Sequence, residues 1–200
     1  MKEKLNVNQI PALKQGILDL TEKEKNQLLI RLINKDQVLI EQLHFRLLED
    51  EVDLIQRFED LKAEILSTLK SAFKTIINAN YSSKGKSYLR LIRTLSAKIT
   101  HFAKVTKSTS YELELRTILL IHSSEIFKSI QNEDTVFGYK IRAYQVSKIK
   151  AILKLLDKVH EDIRYDFIHH YADHLQLHVF LPLKIEIGLA KLNIDRLRTS

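Results

Sequence analysis

The sequence predicts an all-α protein on three observations. Of 200 residues only 4 are Gly and 2 are Pro, about 3% together against roughly 12% in average proteins, too few turn residues for a many-stranded sandwich, barrel or propeller. Apolar residues recur every three or four positions over long stretches, the period of a helix face. Helix-start signals stand just before several of those stretches. The connections left between them are about two to seven residues, which sets sequential helices antiparallel. The expected architecture is a single-domain antiparallel helical bundle of about eight or nine helices over residues 1–200, with a cap of short helices over 1–50 and longer helices over 51–200.

Asn8 is the expected cap of a first helix running to about residue 20, with Pro11 in its opening turn, where a missing N–H does little harm. Thr21 and Glu24 form a capping box, ahead of the stripe Leu28, Leu29, Leu32 and Ile33. Asp36 caps a third helix with Leu39, Ile40, Leu43, Leu47 and Leu48 at helical spacing. Over about 51–79, Leu54, Phe58, Leu61, Ile65, Leu69, Phe73 and Ile76 recur without Gly or Pro, and predict one long helix with Phe58, Leu61, Ile65, Leu69 and Phe73 in the core. Turn chemistry over 80–85 ends it. A fifth helix over about 86–105 carries Tyr88, Ile92, Leu95, Ile99 and Phe102 inward. Thr109 and Glu112 offer a second capping box for a sixth, to about residue 131. After a loop over 132–138 come a seventh helix over about 139–158, an eighth through 178, and a last one after Pro182.

Three strings, Ile10-Pro11-Ala12-Leu13-Lys14, Ile40-Glu41-Gln42-Leu43-His44-Phe45-Arg46-Leu47-Leu48-Glu49 and His160-Glu161-Asp162, resemble a group of all-helical bacterial proteins of similar length to which no activity is assigned. That resemblance implies a helical fold and carries over no site.

Composition removes several kinds of chemistry. The absence of Cys excludes thiol catalysis, disulfides and thiolate metal sites. The absence of a Gly cluster excludes the phosphate-cradling loops of dinucleotide and P-loop enzymes. The longest run without Asp, Glu, Lys or Arg, residues 174–183, is ten residues, about half of a membrane span. The opening residues carry Glu3 and no apolar run follows, so no secretory signal is expected. A cytoplasmic protein without a cofactor and without a membrane partner is the expectation.

The net charge of +7 is concentrated: residues 65–111 hold nine Lys and Arg and no carboxylate, and residues 135–156 hold five and none. On the fifth helix Lys86, Arg90, Arg93 and Lys104 fall within about 60° of one another, opposite the apolar stripe. With Lys84 and Lys107 they form the candidate polyanion-binding site, suited to nucleic acid or an acidic protein. Tyr81 and Tyr88, flanking the turn, are candidates to stack on exposed bases. The plainer account is a solvated helix face, paired in part with acidic helices of the same chain. Lys140, Lys150, Lys154 and Lys158 share a second basic face on the seventh helix.

His170, His174 and His178 stand at i, i+4 and i+8, with Asp162 and Asp166 continuing the row. Neighbouring pairs have metal-ligand spacing, but the outer two are about 12 Å apart along a helix and cannot share one ion. Packing beside Ile163, Phe167, Tyr171 and Leu175 is the simpler role. Glu41 and His44 have the spacing used by di-iron bundles, without a second Glu-x-x-His to match. No Gly-flanked Ser suits a nucleophile elbow. The expected function is therefore a noncatalytic interaction or scaffold module with a basic helical face. The alternative is a metal-binding or hydrolytic bundle built on the His-rich eighth helix.

Overall fold

Helix boundaries follow the capping side chains. The structure, a computed structural model, describes residues 6–79, 81–130 and 135–197. Among them lie nine α-helices and no strand, so the fold is an all-α helical bundle. The chain divides into two compact units, residues 1–48 and 49–200.

In the first unit Asn6 caps a 3-10 turn, Val7–Gln9, and receives the Gln9 side chain on its own N–H in a capping box. This displaces the expected cap at Asn8, because α1 (Pro11–Asp19) starts beyond that turn with Pro11 in its first turn. The α2 helix (Glu22–Ile33) opens on the predicted Thr21–Glu24 box, and the Thr21 hydroxyl and N–H hold the Glu24 carboxyl below its usual range. Asp36 accepts from the Val38 and Leu39 N–H groups to start α3 (Gln37–Leu48). No described residue of this unit is buried: Leu28, Ile33, Leu39, Ile40 and Leu43 are half-covered, while Leu29, Leu32, Leu47 and Leu48 are exposed.

The second unit begins with Asp50, which caps α4 (Glu51–Ile77) on the Val52 and Asp53 N–H groups. Arg57 clamps Glu49 through two hydrogen bonds of 2.5 Å across this start. The next helix, α5, runs Tyr81–Thr106, so of the turn expected over 80–85 residues 81–85 are already helix, residue 80 lies outside the described residues, and Gly85 sits buried within α5. No breaker interrupts the helix there, since a lone Gly costs only about 1 kcal/mol against Ala and packing overrides it. Ser108, not the Thr109–Glu112 pair, supplies a side-chain acceptor at the start of α6 (Thr109–Ile130), and Glu112 instead pairs with Arg116 at 2.6 Å. The α7 helix (Thr135–Leu156) starts four residues before the expected 139. Of the loop expected over 132–138, residues 132–134 lie outside the described residues.

The His160 imidazole caps α8 (Glu161–Leu175) by accepting from the Asp162 N–H. The eighth helix then widens into a π-turn, Gln176–Phe180, closed by the Leu181 N–H on the Gln176 carbonyl at 3.1 Å. A short α9 (Lys184–Leu189) and a 3-10 turn, Asp195–Leu197, finish the unit. Among the described residues no helix is long and apolar enough to cross a membrane.

The organising element is α6, which packs against α4, α5, α7, α8 and the π-turn. Its apolar residues point all round the helix, the pattern of a helix enclosed by others. Leu115, Leu119, Ile126 and Phe127 join Phe58, Ile65, Tyr88, Ile99 and Ile141 in one core cluster. Leu113, Leu120 and Ile121 join Ile149, Phe167, Val179, Ile187 and Leu197 in a second. The α4 stripe is buried at Phe58, Ile65, Leu69 and Ile76 and half-buried at Leu61. Phe73, expected in the core, is 37% exposed: it lies at the rim of a groove against α6 rather than under it.

Leu197 is anchored from outside as well as by burial, because Arg196 reaches back to Asp157 at the end of α7. The hydrogen bond from Arg196 holds the Asp157 carboxyl below its usual range. A depressed carboxylate stabilises the fold above its unfolded pKa, about 3.9, and that contribution is lost as pH falls through the folded value. Denaturant midpoints measured from pH 6 to pH 3 should therefore fall less steeply below about pH 4 in Arg196→Gln than in the parent. Parallel curves would show that the pair contributes nothing.

Candidate anion-binding face

Each turn of α5 sets its two faces apart. Tyr88, Leu89, Ile92, Leu95, Ile99 and Phe102 are buried, while Lys86, Arg90, Arg93 and Lys104 are exposed on the opposite side. The ridge from Lys86 to Lys104 is about 27 Å long at 1.5 Å per residue. Lys84 is half-buried in the first turn, and Lys107 lies just past the C-terminus in a left-handed conformation, φ 58°. The six predicted basic residues thus line one helix from end to end and do not converge on a pocket.

Two flanks give this ridge its character. Toward α4 lies an open groove of about 630 Å³ whose lining includes Arg90 and the hydroxyls of Ser67, Ser71, Thr75, Ser87 and Thr94. Ser67, Thr75 and Thr94 donate to carbonyls one turn back on their own helices, at 3.1, 3.5 and 3.1 Å. Intrahelical bonds of this kind are weak competitors, so the hydroxyls can turn outward to an incoming oxygen at little cost.

Toward α7 the ring of Tyr144 lies under two cations, with the Arg93 guanidinium 5.9 Å and the Lys148 ammonium 4.6 Å from its centroid. The Tyr144 hydroxyl is fixed at 2.9 Å from Ser96 Oγ and 3.4 Å from the Ile92 carbonyl. The basic faces of α5 and α7 therefore adjoin at this ring. The residue that joins them is Lys148, outside the row Lys140, Lys150, Lys154 and Lys158. Sequence reading missed it because only the packing of Tyr144 on α5 brings it there; the aromatic at i−4 from Lys148 was the available signal.

Among the described residues Lys86, Arg90, Arg93 and Lys148 make no ion pair, whereas Lys98 on the same helix is bound to Glu64 of α4. The plainer account thus holds for Lys98 and leaves the four others unneutralised. Tyr88 corrects the base-stacking expectation. It is wholly buried, donating at 2.8 Å to the Ser123 carbonyl, and burial pushes its phenol far above the usual range. The side chain of Tyr81 lies outside what the structure describes.

The eighth helix borders a second groove, of about 640 Å³, with Glu114, Asp166, His169, His170 and Tyr171 in its wall. Tyr171 donates to Glu114 at 2.8 Å, and burial first, then that bond, pushes its phenol far above its ordinary range. The His row does not gather there: His170 lies edge-on to Tyr171, while the rings of His174 and His178 stack on each other 6.1 Å apart. Among the described residues no three His, Asp or Glu side chains converge as metal ligands would.

No protein-family model matches the chain, and neither a curated protein nor a solved structure shows significant similarity to it.

Proposed function

We propose that the exposed face of α5, widened by Lys148 of α7, binds the phosphate backbone of nucleic acid, and that the protein works in the cytoplasm as a noncatalytic interaction module. The observation that carries this reading is the set of four cations, Lys86, Arg90 and Arg93, which are exposed, and Lys148, which is half-buried, without a carboxylate partner among the described residues. Phosphate contacts come from Arg and Lys together with Ser and Thr hydroxyls, and the α4–α5 groove sets Arg90 beside such hydroxyls. That mixture favours a phosphate polymer over an acidic protein. Tyr88 is buried and Tyr144 is covered by two cations, so neither ring is left for bases, and contacts to phosphate alone carry no sequence information, so binding by this ridge should be indifferent to sequence.

The alternative, a metal-binding or hydrolytic site on α8, has less support, because the best-placed carboxylate, Glu114, is engaged by Tyr171.

The test is salt dependence. Each phosphate neutralised contributes about 0.9 to the slope of log K against log salt for duplex DNA and about 0.7 for single strands. Changing Arg90, Arg93 and Lys148 together to Gln should reduce that slope by about 2 to 3 and weaken unrelated sequences of equal length alike. Absence of association at about 50 mM salt, where screening is weak, or an unaltered slope in the triple variant, would refute the proposal.

A further inference from the structure

On the other flank of α4, away from the hydroxyl groove, an apolar trough of about 420 Å³ runs between α4 and α6. Its floor is Leu69, 4% exposed, and Ile126, 2% exposed, with the ring of Phe73 standing 37% exposed beside them. Its rim is cationic: Lys70 and Lys74, one turn apart on α4, and His122 on the opposite bank from α6. All three are exposed, and among the described residues neither lysine has an ion pair. An aromatic ring kept at a rim beside a buried Leu and Ile, on the same trough as two ammonium groups without an ion pair among the described residues, has the two halves of a recognition site for one amphiphile.

We propose that this trough binds a free medium-chain fatty acid, the alkyl chain lying on Leu69, Phe73 and Ile126 and the carboxylate held by Lys70, Lys74 and His122. Charge decides the head group, since among the described residues the rim offers two ammonium groups and an imidazole and no carboxylate. Size decides against an amphipathic helix. The trough spans residues 66 to 74 of α4, about 12 Å, and a helix 10–12 Å across would need on the order of 1,000 Å³ over that length. The observed volume lies at the lower end of small-ligand pockets, about 300–1,000 Å³, and suits a single chain. The inference is independent of nucleic-acid binding, because it uses other residues on another face.

The experiment is calorimetric titration of the full chain with octanoate, decanoate and dodecanoate below their micellar concentrations, and with dodecanol as the uncharged control. Saturable one-to-one binding is expected, tightening about fourfold per added methylene while the chain finds apolar cover. Dodecanol should bind at least about tenfold more weakly than dodecanoate, for want of charged hydrogen bonds. Lys70→Gln with Lys74→Gln should lose a similar factor. Phe73→Glu, at a position exposed enough to keep the fold, should abolish binding by placing a carboxylate in the trough. Equal binding of dodecanol, no dependence on chain length, retention of affinity in both variants with unchanged melting temperatures, or no saturable binding at all would each overturn the proposal.

Discussion

Replacing Phe127 with Ala should destabilise the protein by about 3–5 kcal/mol, and replacing Phe73 with Ala should cost about 1 kcal/mol or less. The two residues have the same side chain and both sit on helices that pair α4 with α6, so the contrast isolates burial. Phe127 is 2% exposed, and its ring lies 6.2 Å from that of Tyr88 within the first core cluster. Truncation there removes the apolar transfer energy and leaves a cavity that neighbours on three other helices cannot close. Phe73 is 37% exposed, so water already covers part of it and truncation leaves open trough in place of a void. Urea titration of both variants measures the two differences directly. Comparable losses would mean that Phe73 is packed as its periodicity suggests, and the open trough proposed as a ligand site would be gone with it.

That contrast shows where sequence reading reaches and where it stops. Periodicity placed Phe73 in the α4 stripe correctly, since Ile65, Leu69 and Ile76 on the same stripe are buried. What periodicity cannot report is how far a neighbouring helix extends over each turn. Caps were legible where side chain and backbone lie within three residues of each other, as at Thr21 and Asp36. They were misread where another local acceptor was equally plausible, as at Asn6 and Ser108. The α5 start was missed because Ser82, Ser83 and Gly85 have turn propensity that tertiary packing overrides. The basic ridge was legible as a face because it belongs to one helix. Its junction with α7 was not, because Tyr144 and Lys148 meet Arg93 only through the packing of two helices some fifty residues apart in the chain.

A second large effect is expected inside the core, at the polar group shared by α5, α6 and α7. The Tyr88 hydroxyl spends its proton on the Ser123 carbonyl at 2.8 Å, and the Ser124 hydroxyl spends its own on the Leu120 carbonyl at 2.7 Å. Both oxygens therefore present lone pairs to Gln145, which fixes the amide with Nε2 toward them, at 3.5 and 3.3 Å. Oε1 is then buried without a partner among the described residues, on a residue only 1% exposed. Tyr88→Phe deletes an acceptor for that amide and a donor to α6, and should cost about 1–3 kcal/mol. Gln145→Met removes the unsatisfied oxygen while both hydroxyls keep the carbonyls they donate to, so it should be neutral or stabilising by about 1 kcal/mol. In the double variant the loss should be smaller than for Tyr88→Phe alone, because no amide remains to be left unpaired, and a double-mutant cycle reads that coupling. A cost above about 1.5 kcal/mol for Gln145→Met would instead show that Oε1 is satisfied. The space lined by Gln145, Ser96 and Tyr144, about 10 Å³, stands at the lower limit for one water molecule, and such a water would be the partner.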